Sequence, residues 1–232
     1  MRRLLRIPTA LLVSGAIYQA AAWPWLNPKV KAGQITIAKL VILPARVSFE
    51  RTGAKGHEGG TQETDHIADA FYNAVSAELS RRGVHVASNT HDGADDDAAR
   101  YAIADLQSRY DTIRVQLAKK PAGVEKGRYT LGDRVARFET GAEVDTLVFL
   151  RGQGYLPTPG RKAVAVATLN PFAAAPIFQG DLTFVDAKTG EVLVFLRFIR
   201  NRNMTEKTED RFSETLRLAL HDVPLPLPPG KR

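Results

Sequence analysis

The chain has 232 residues, 44% hydrophobic and 25% charged, with 32 Lys plus Arg against 25 Asp plus Glu and no Cys. That balance excludes a wholly disordered, collagen-like or polytopic membrane chain, and the missing thiols exclude disulfide staples, thiolate nucleophiles, zinc ribbons and iron–sulfur clusters. The formal net charge of +7 falls to +4 when Arg2, Arg3 and Arg6 are assigned to an N-terminal targeting segment; spread over roughly 210 residues this is no basic stripe, and nucleic acid is not expected as a partner.

Met1–Arg6 is basic, Ile7–Tyr18 mostly apolar, and Ala20 and Ala22 place small residues at the −3 and −1 positions of a cleavage site. This three-part layout predicts a signal peptide over residues 1–22. Its rival is a retained inner-membrane anchor, because Trp23 and Trp25 follow directly. The apolar run is short for a span, which needs ~20 residues, and it contains Pro8, Ser14 and Gly15. Without Cys after the segment, acylation of a lipoprotein type has no acceptor. Residues 23–34, punctuated by Pro24 and Pro28, are expected to form an extended arm.

From residue 35 to 222 the pattern predicts one α/β domain: a single mixed sheet with helices packed on it and a β-hairpin in the C-terminal half. Ile35–Val47 (ITIAKLVILPARV) reads as a first, fully buried strand. Ser48–Gly60 is polar and Gly-rich, as a loop is. Ile67, Phe71, Ala74, Val75, Glu78 and Leu79 then recur at helical spacing until Gly83, and Val84–Ala87 makes a short strand. Asp95–Asp97 open a second helix carrying Ala99, Ala102, Ile103, Leu106, Tyr110 and Ile113. Pro121–Arg128 interrupts it, and Leu131, Val135 and Phe138 suggest a third, shorter helix ending near Gly141.

Asp145–Tyr155 is a second buried-type strand, expected beside the first. Phe178–Asp186 and Glu191–Arg200 flank a turn with Gly190 where a positive φ is convenient, which predicts the hairpin. Thr205–His221 is a final amphipathic helix with Phe212, Leu216, Leu218 and Leu220 on its apolar side. Residues 223–232 are Pro-rich and expected to be extended and solvated.

Candidate chemistry is sparse. The loop Gly53–Thr61 sits between strand and helix, where phosphate loops form, but Gly59-Gly60-Thr61 lacks the Lys that reaches the outer phosphates. Gly152-Gln153-Gly154 opens like a dinucleotide fingerprint, yet Tyr155-Leu156-Pro157 follows, so it reads as a strand end where the chain bends. His57, His66, His85, His91 and His221 show no i, i+4 pair. His91, Asp92 and Asp95–Asp97 offer hard metal ligands, but a helix-start charge cluster accounts for them. Ser48, Ser76, Ser80, Ser88, Ser108 and Ser213 lack a nucleophile elbow, and Glu139 and Glu143 have the spacing of a solvated helix face. A hydrolase with dispersed groups, for instance His57, Glu58 and His66 converging, and a small-ligand or metal module at 53–61 or 91–97 remain as alternatives; no cofactor is indicated.

Several segments in order resemble the bacterial envelope proteins related to CsgG and the TolB amino-terminal domain. They are Leu43-Pro44-Ala45-Arg46, Leu79-Ser80-Arg81-Arg82-Gly83-Val84-His85-Val86, Ala142-Glu143-Val144-Asp145-Thr146-Leu147-Val148-Phe149, and Val185-Asp186-Ala187-Lys188-Thr189-Gly190-Glu191-Val192-Leu193. The resemblance spans residues 35 to 220 and departs in lacking the lipobox Cys. It implies a non-enzymatic role in organising the envelope; the targeting segment and the absence of a catalytic template add the expectation of a periplasmic protein acting through a protein partner, with membrane proximity through the N-terminal segment.

Overall fold

The computed structural model describes residues 21–53, 56–59, 62–87, 97–133, 135, 144–168, 176–200, 204 and 208–226. In chain order these form β1 (Ala21–Leu26), α1 (Pro28–Lys31), β2 (Lys39–Ile42), β3 (Arg46–Gly53), β4 (Gly56–Gly59), α2 (Gln62–Arg81), β5 (His85–Ala87) and α3 (Asp97–Lys119). A 3-10 helix at Pro121–Lys126 leads to β6 (Thr146–Pro157), α4 (Pro159–Ala167), β7 (Ile177–Asp186), β8 (Val192–Arg200) and α5 (Thr208–Ala219). The eight strands make one mixed sheet, ordered β1-β8-β7-β6-β2-β5, with β3 also on β6 and β4 on β3. This is the expected α/β architecture.

The 12-residue strand β6 organises the sheet. On one side it runs antiparallel to β7 over its first ten residues. On the other it pairs in parallel first with β2 (Leu40–Ile42 against Thr146–Val148) and then with β3 (Arg46–Thr52 against Arg151–Pro157). The strand expected over Ile35–Val47 is therefore two strands, interrupted around Pro44, which has no N–H to give a ladder. The polar stretch 48–60, expected to be a loop, is largely the β3–β4 hairpin, registered from Glu50–Gly59 to Gly53–Gly56. Its polar, Gly-rich sequence takes strand form because β6 offers it a backbone ladder.

Further differences have local causes. The arm expected over residues 23–34 is extended only in part: Trp23–Leu26 lies antiparallel on β8 as an edge strand, and Pro28–Lys31 is a helical turn capped by Asn27, whose Oδ1 accepts from the Lys29 N–H at 2.9 Å. The third helix does not begin at Leu131, whose N–H donates to the Gly190 carbonyl at 2.8 Å while Thr130 bridges Glu191; Phe138 and Gly141 lie outside the described residues. Leu218 is 50% exposed, because α5 buries Phe212, Thr215, Leu216 and Ala219 instead. The tail is not wholly solvated: Val223 is buried and Leu225 packs on the core, with residues 227–232 outside the described set. Helix α4 is not among the elements expected from the sequence.

One sheet face is covered by α2 and α5. Phe71 on α2 stacks on Phe212 of α5 at 4.9 Å and meets Phe178 and Phe198 edge-on. α2 stops in a Schellman closure: Gly83 adopts φ +86, its N–H reaches Ser80, and the Val84 N–H reaches Leu79 at 3.1 Å. Across the other face lies α3, with Tyr110 stacked on Phe149 at 4.5 Å.

The run Gly152-Gln153-Gly154 is not a strand end but mid-β6. Phe49 and Phe178 flank Gly154 in register and Phe198 flanks Gly180. Each ring lies over a neighbouring glycine: an added Cβ would sit 2.2 Å from Phe49 at Gly154 and 2.1 Å from Phe198 at Gly180. These glycines are the floor on which the aromatic core rests. Gly180→Ala is expected to destabilise the protein by ~1–3 kcal/mol through overpacking. In a Phe198→Leu background the same change costs at least ~1 kcal/mol less, as a double-mutant cycle in urea would measure.

Candidate functional site

Two polar constellations stand out, one on each face of the sheet. On the α3 face, strand register aligns Arg46, Arg151, Asp181, Arg197 and Trp23 in one row across β3, β6, β7, β8 and β1. α3 lays Asp111 and Arg114 over it. Asp181, 1% exposed, accepts from Arg197 Nε at 2.8 Å and Nη2 at 3.2 Å, and from Arg114 Nε at 2.9 Å. Asp111 accepts from Arg151 Nε at 2.7 Å and Arg46 Nη1 at 3.1 Å.

Arg151 is deeply set. It donates to the Leu150 and Gln107 carbonyls and lies 5.0 Å from the centre of the Tyr110 ring. Burial presses its pKa below the ordinary guanidinium value, against the pull of Asp111, and it stays charged. Tyr110 is wholly buried, bonds Thr183 Oγ1 at 2.6 Å, and has its phenol pKa pushed up by that burial and by the charge of Asp181. Gln107 Nε2 donates to the Pro44 carbonyl while its Oε1 is buried without a partner. The row thus fastens α3 to the sheet by charge as well as by packing, and its four arginines outnumber its two aspartates.

On the opposite face α2 and α5 enclose a cavity of about 450 Å³ lined by Ala74, Ala77, Glu78, Arg81, Ser213, Glu214 and Arg217. Glu78 binds Arg81 Nη2 at 2.7 Å and Arg82 Nε at 2.8 Å. Arg82 also donates to the Leu220 and Arg217 carbonyls at 2.7 and 3.0 Å, so one guanidinium ties α2 to the C-terminal end of α5, where a cation is favoured. Behind the wall, β8 is tied to α5 by Arg200, which bonds Thr215 Oγ1 at 2.6 Å and Glu214 at 3.1 Å.

The residues singled out from sequence fall mostly elsewhere. Ala22 is the second residue of β1, opposite Phe198, and Ala20 lies outside the described residues. His57 and Glu58 are on β4, opposite Thr52 and Arg51, and His66 and His85 are exposed on α2 and β5. His221 pairs with Asp222 at 2.8 Å. Asp97 starts α3 and pairs with Arg100; His91, Asp92, Asp95, Asp96, Ser88, Glu139 and Glu143 lie outside the described residues. Ser213 alone lines the cavity. No group of three or more His, Asp or Glu that could hold a metal occurs among the described residues, nor a helix long and apolar enough to cross a membrane.

The Asp186-Ala-Lys-Thr-Gly-Glu191 segment that carried the family resemblance is a self-closing turn. Asp186 Oδ1 accepts from the backbone N–H groups of Lys188 and Thr189 at 3.0 and 2.7 Å, Gly190 takes φ +71, and Glu191 holds Lys29 and Asn27. What sequence reasoning missed is the arginine row. Its signal was present: a single charge inside each apolar strand, Arg151 in VFLRGQ, Asp181 in FQGDLTF and Arg197 in LVFLRFI.

No family model matches the chain, and no curated protein matches it; membership of the CsgG or TolB groups is not shown. Among solved structures the chain is similar to the PelC dodecamer from Paraburkholderia phytofirmans at 10% identity, over 89% of this chain and 99% of that one, with a TM-score of 0.39. It is also similar to lipoprotein GNA1162 from Neisseria meningitidis at 10% identity, over 80% of this chain and 97% of that one, with a TM-score of 0.36.

Two outcomes check these sites. Asp181→Asn leaves two arginines uncompensated and should cost about 3 kcal/mol, the lower end for a buried pair because both guanidiniums reach water. Arg46→Gln, at a half-exposed pair, should cost under ~1 kcal/mol in the same denaturation assay. The second outcome concerns Glu78. Burial alone raises its pKa, but the bonds from Arg81 and Arg82 outweigh that and hold it below the usual carboxylate range. A carboxyl held low in the fold contributes fully above its unfolded value near ~4.3, and the contribution drains away as pH falls through the folded value. Glu78→Gln should therefore be less stable than the wild type at neutral pH, with the gap in urea midpoints narrowing as pH falls below the unfolded carboxyl value of ~4.3.

Proposed function

We propose that the chain is an exported envelope protein that works as an assembly or interaction module, seating a protein partner in the groove between α2 and α5. The observation that carries this reading is the groove's construction. Its floor is Ala74 and Ala77, which let another chain approach the helix backbone closely, and its walls present Glu78, Arg81, Ser213, Glu214 and Arg217 for polar matching. The two helices are held together from beneath by the Phe71–Phe212 stack and at one end by Arg82, so the groove is formed before any partner arrives. Export follows from the basic, apolar and small-residue order of residues 1–22.

Each half has its own experiment. A periplasm-dependent reporter fused after residue 40 should be active in a bacterial host, and a cytoplasmic signal would remove the premise. A photo-crosslinker placed at Ala77 in the native host should trap one dominant protein, while Ala77→Trp, which fills the exposed floor, should abolish that product and leave the thermal transition within ~1 kcal/mol of the wild type. An unchanged product from the filled groove would place the contact elsewhere.

A further inference from the structure

On the α3 face of the sheet, at the β1 end of the arginine row and along the strands from there, three large apolar side chains among the described strand residues are exposed: Trp23 (48%) on β1, Ile199 (36%) on β8 and Ile177 (39%) on β7. They fall on one diagonal. Trp23 faces Arg197, Ile199 is the next same-face residue along β8 and faces Gln179, and Ile177 is the next along β7. Diagonal neighbours on a sheet face lie ~7–8 Å apart, so the three make one continuous strip. Trp25, on the same face of β1, is instead stacked on Phe195 at 5.6 Å.

We propose that this corner of the sheet docks on an anionic lipid surface, with Trp23, Ile199 and Ile177 entering the interface and the arginine row facing the headgroups. Three observations choose lipid over another protein. The flanking row carries four arginines against two aspartates, and Arg46 and Arg114 reach solvent; that excess complements anionic headgroups. The chain enters the fold at this same corner: Ala21 precedes Trp23 by two residues, and upstream lie the apolar stretch Ile7–Tyr18 and the basic Arg2, Arg3 and Arg6. The open edge of β1 is also poorly suited to receive a protein strand. Asn27 N–H donates inward to Leu193, so in the alternating ladder Trp25 and Trp23 also turn theirs inward, and Pro24 occupies the outward position with no N–H to offer.

The proposal rests on the envelope assignment for its setting, but its test does not: binding to purified vesicles is read whatever a localisation reporter shows. The chain has two tryptophans, so Trp25→Phe leaves Trp23 as sole reporter and Trp23→Phe leaves Trp25. The full chain in both forms is mixed with vesicles of phosphatidylglycerol, plain or bearing brominated acyl chains, and with phosphatidylcholine controls. Trp23 should shift to the blue and be quenched by the brominated phosphatidylglycerol, about threefold more than by the brominated neutral lipid, and lose that excess in ~1 M salt. Trp25 should show little quenching. Ile177→Glu with Ile199→Glu should reduce the Trp23 effect about tenfold while the N-terminal segment stays intact. Equal quenching of both tryptophans would mean that residues 1–20 alone bring the protein to lipid, and equal quenching in neutral and anionic vesicles would remove the arginine row; either overturns the proposal. So does an unquenched Trp23.

Discussion

A buried strand must find a hydrogen-bonding partner for every backbone group along both edges, and β6, with 12 residues, is too long for either of its short parallel neighbours to satisfy alone. The chain meets this constraint by breaking at Pro44 and resuming, so that β2 serves the first part of β6 and β3 the second. Much else follows from that division. Because β3 is in register with the distal half of β6, Phe49 falls beside Gly154 and Arg46 beside Arg151. The first pairing closes the aromatic core over glycine; the second begins the row of charge that runs to β1.

The two faces of the sheet solve opposite problems. Towards α2 and α5 the rows are Phe49, Gly154 and Phe178, or Gly152, Gly180 and Phe198, in which the large rings lie over positions that have no side chain. Towards α3 the row at the same height is ionic, and burial of its charges is tolerable because each aspartate is shared between two arginines. α3 is consequently held at mid-contact by directional bonds through Asp111 and Arg114 together with the stack of Tyr110 on Phe149, between buried Leu106 and Leu117. A helix fixed that way leaves the sheet corner at Trp23, Ile199 and Ile177 uncovered, whereas the opposite face, packed by two helices, exposes its groove between them. The lipid contact proposed for one face and the protein contact proposed for the other do not compete for the same residues.

Features that depend on neighbours in the chain were legible in the sequence. The periodicity of Ile67 to Leu79 closing at Gly83 marked α2, the acidic start and apolar spacing marked α3, and the turn Asp186–Glu191 marked the hairpin, because capping, helical spacing and positive φ are set within a few residues. The placement of β2 beside β6 is also expected from the sequence, since two unbroken aliphatic runs both demand burial on two faces, and the structure adds that the pair is parallel. Composition likewise excludes thiol chemistry, and the residue order of 1–22 is the ground for the proposed export.

Tertiary structure decided everything that depends on register. Residues 48–53 have the composition of a loop and become strand through a partner a hundred positions away; Gly154 and Gly180 have the appearance of breakers and become seats for aromatic rings. Each strand charge, read alone, is a polar residue in an apolar run, and only alignment across five strands makes Arg46, Arg151, Asp181 and Arg197 one row ending at Trp23. Side-chain period along a strand follows from local geometry, but which residue stands beside which is set by pairing between distant segments, and a one-residue slip would send every one of those side chains to the other face.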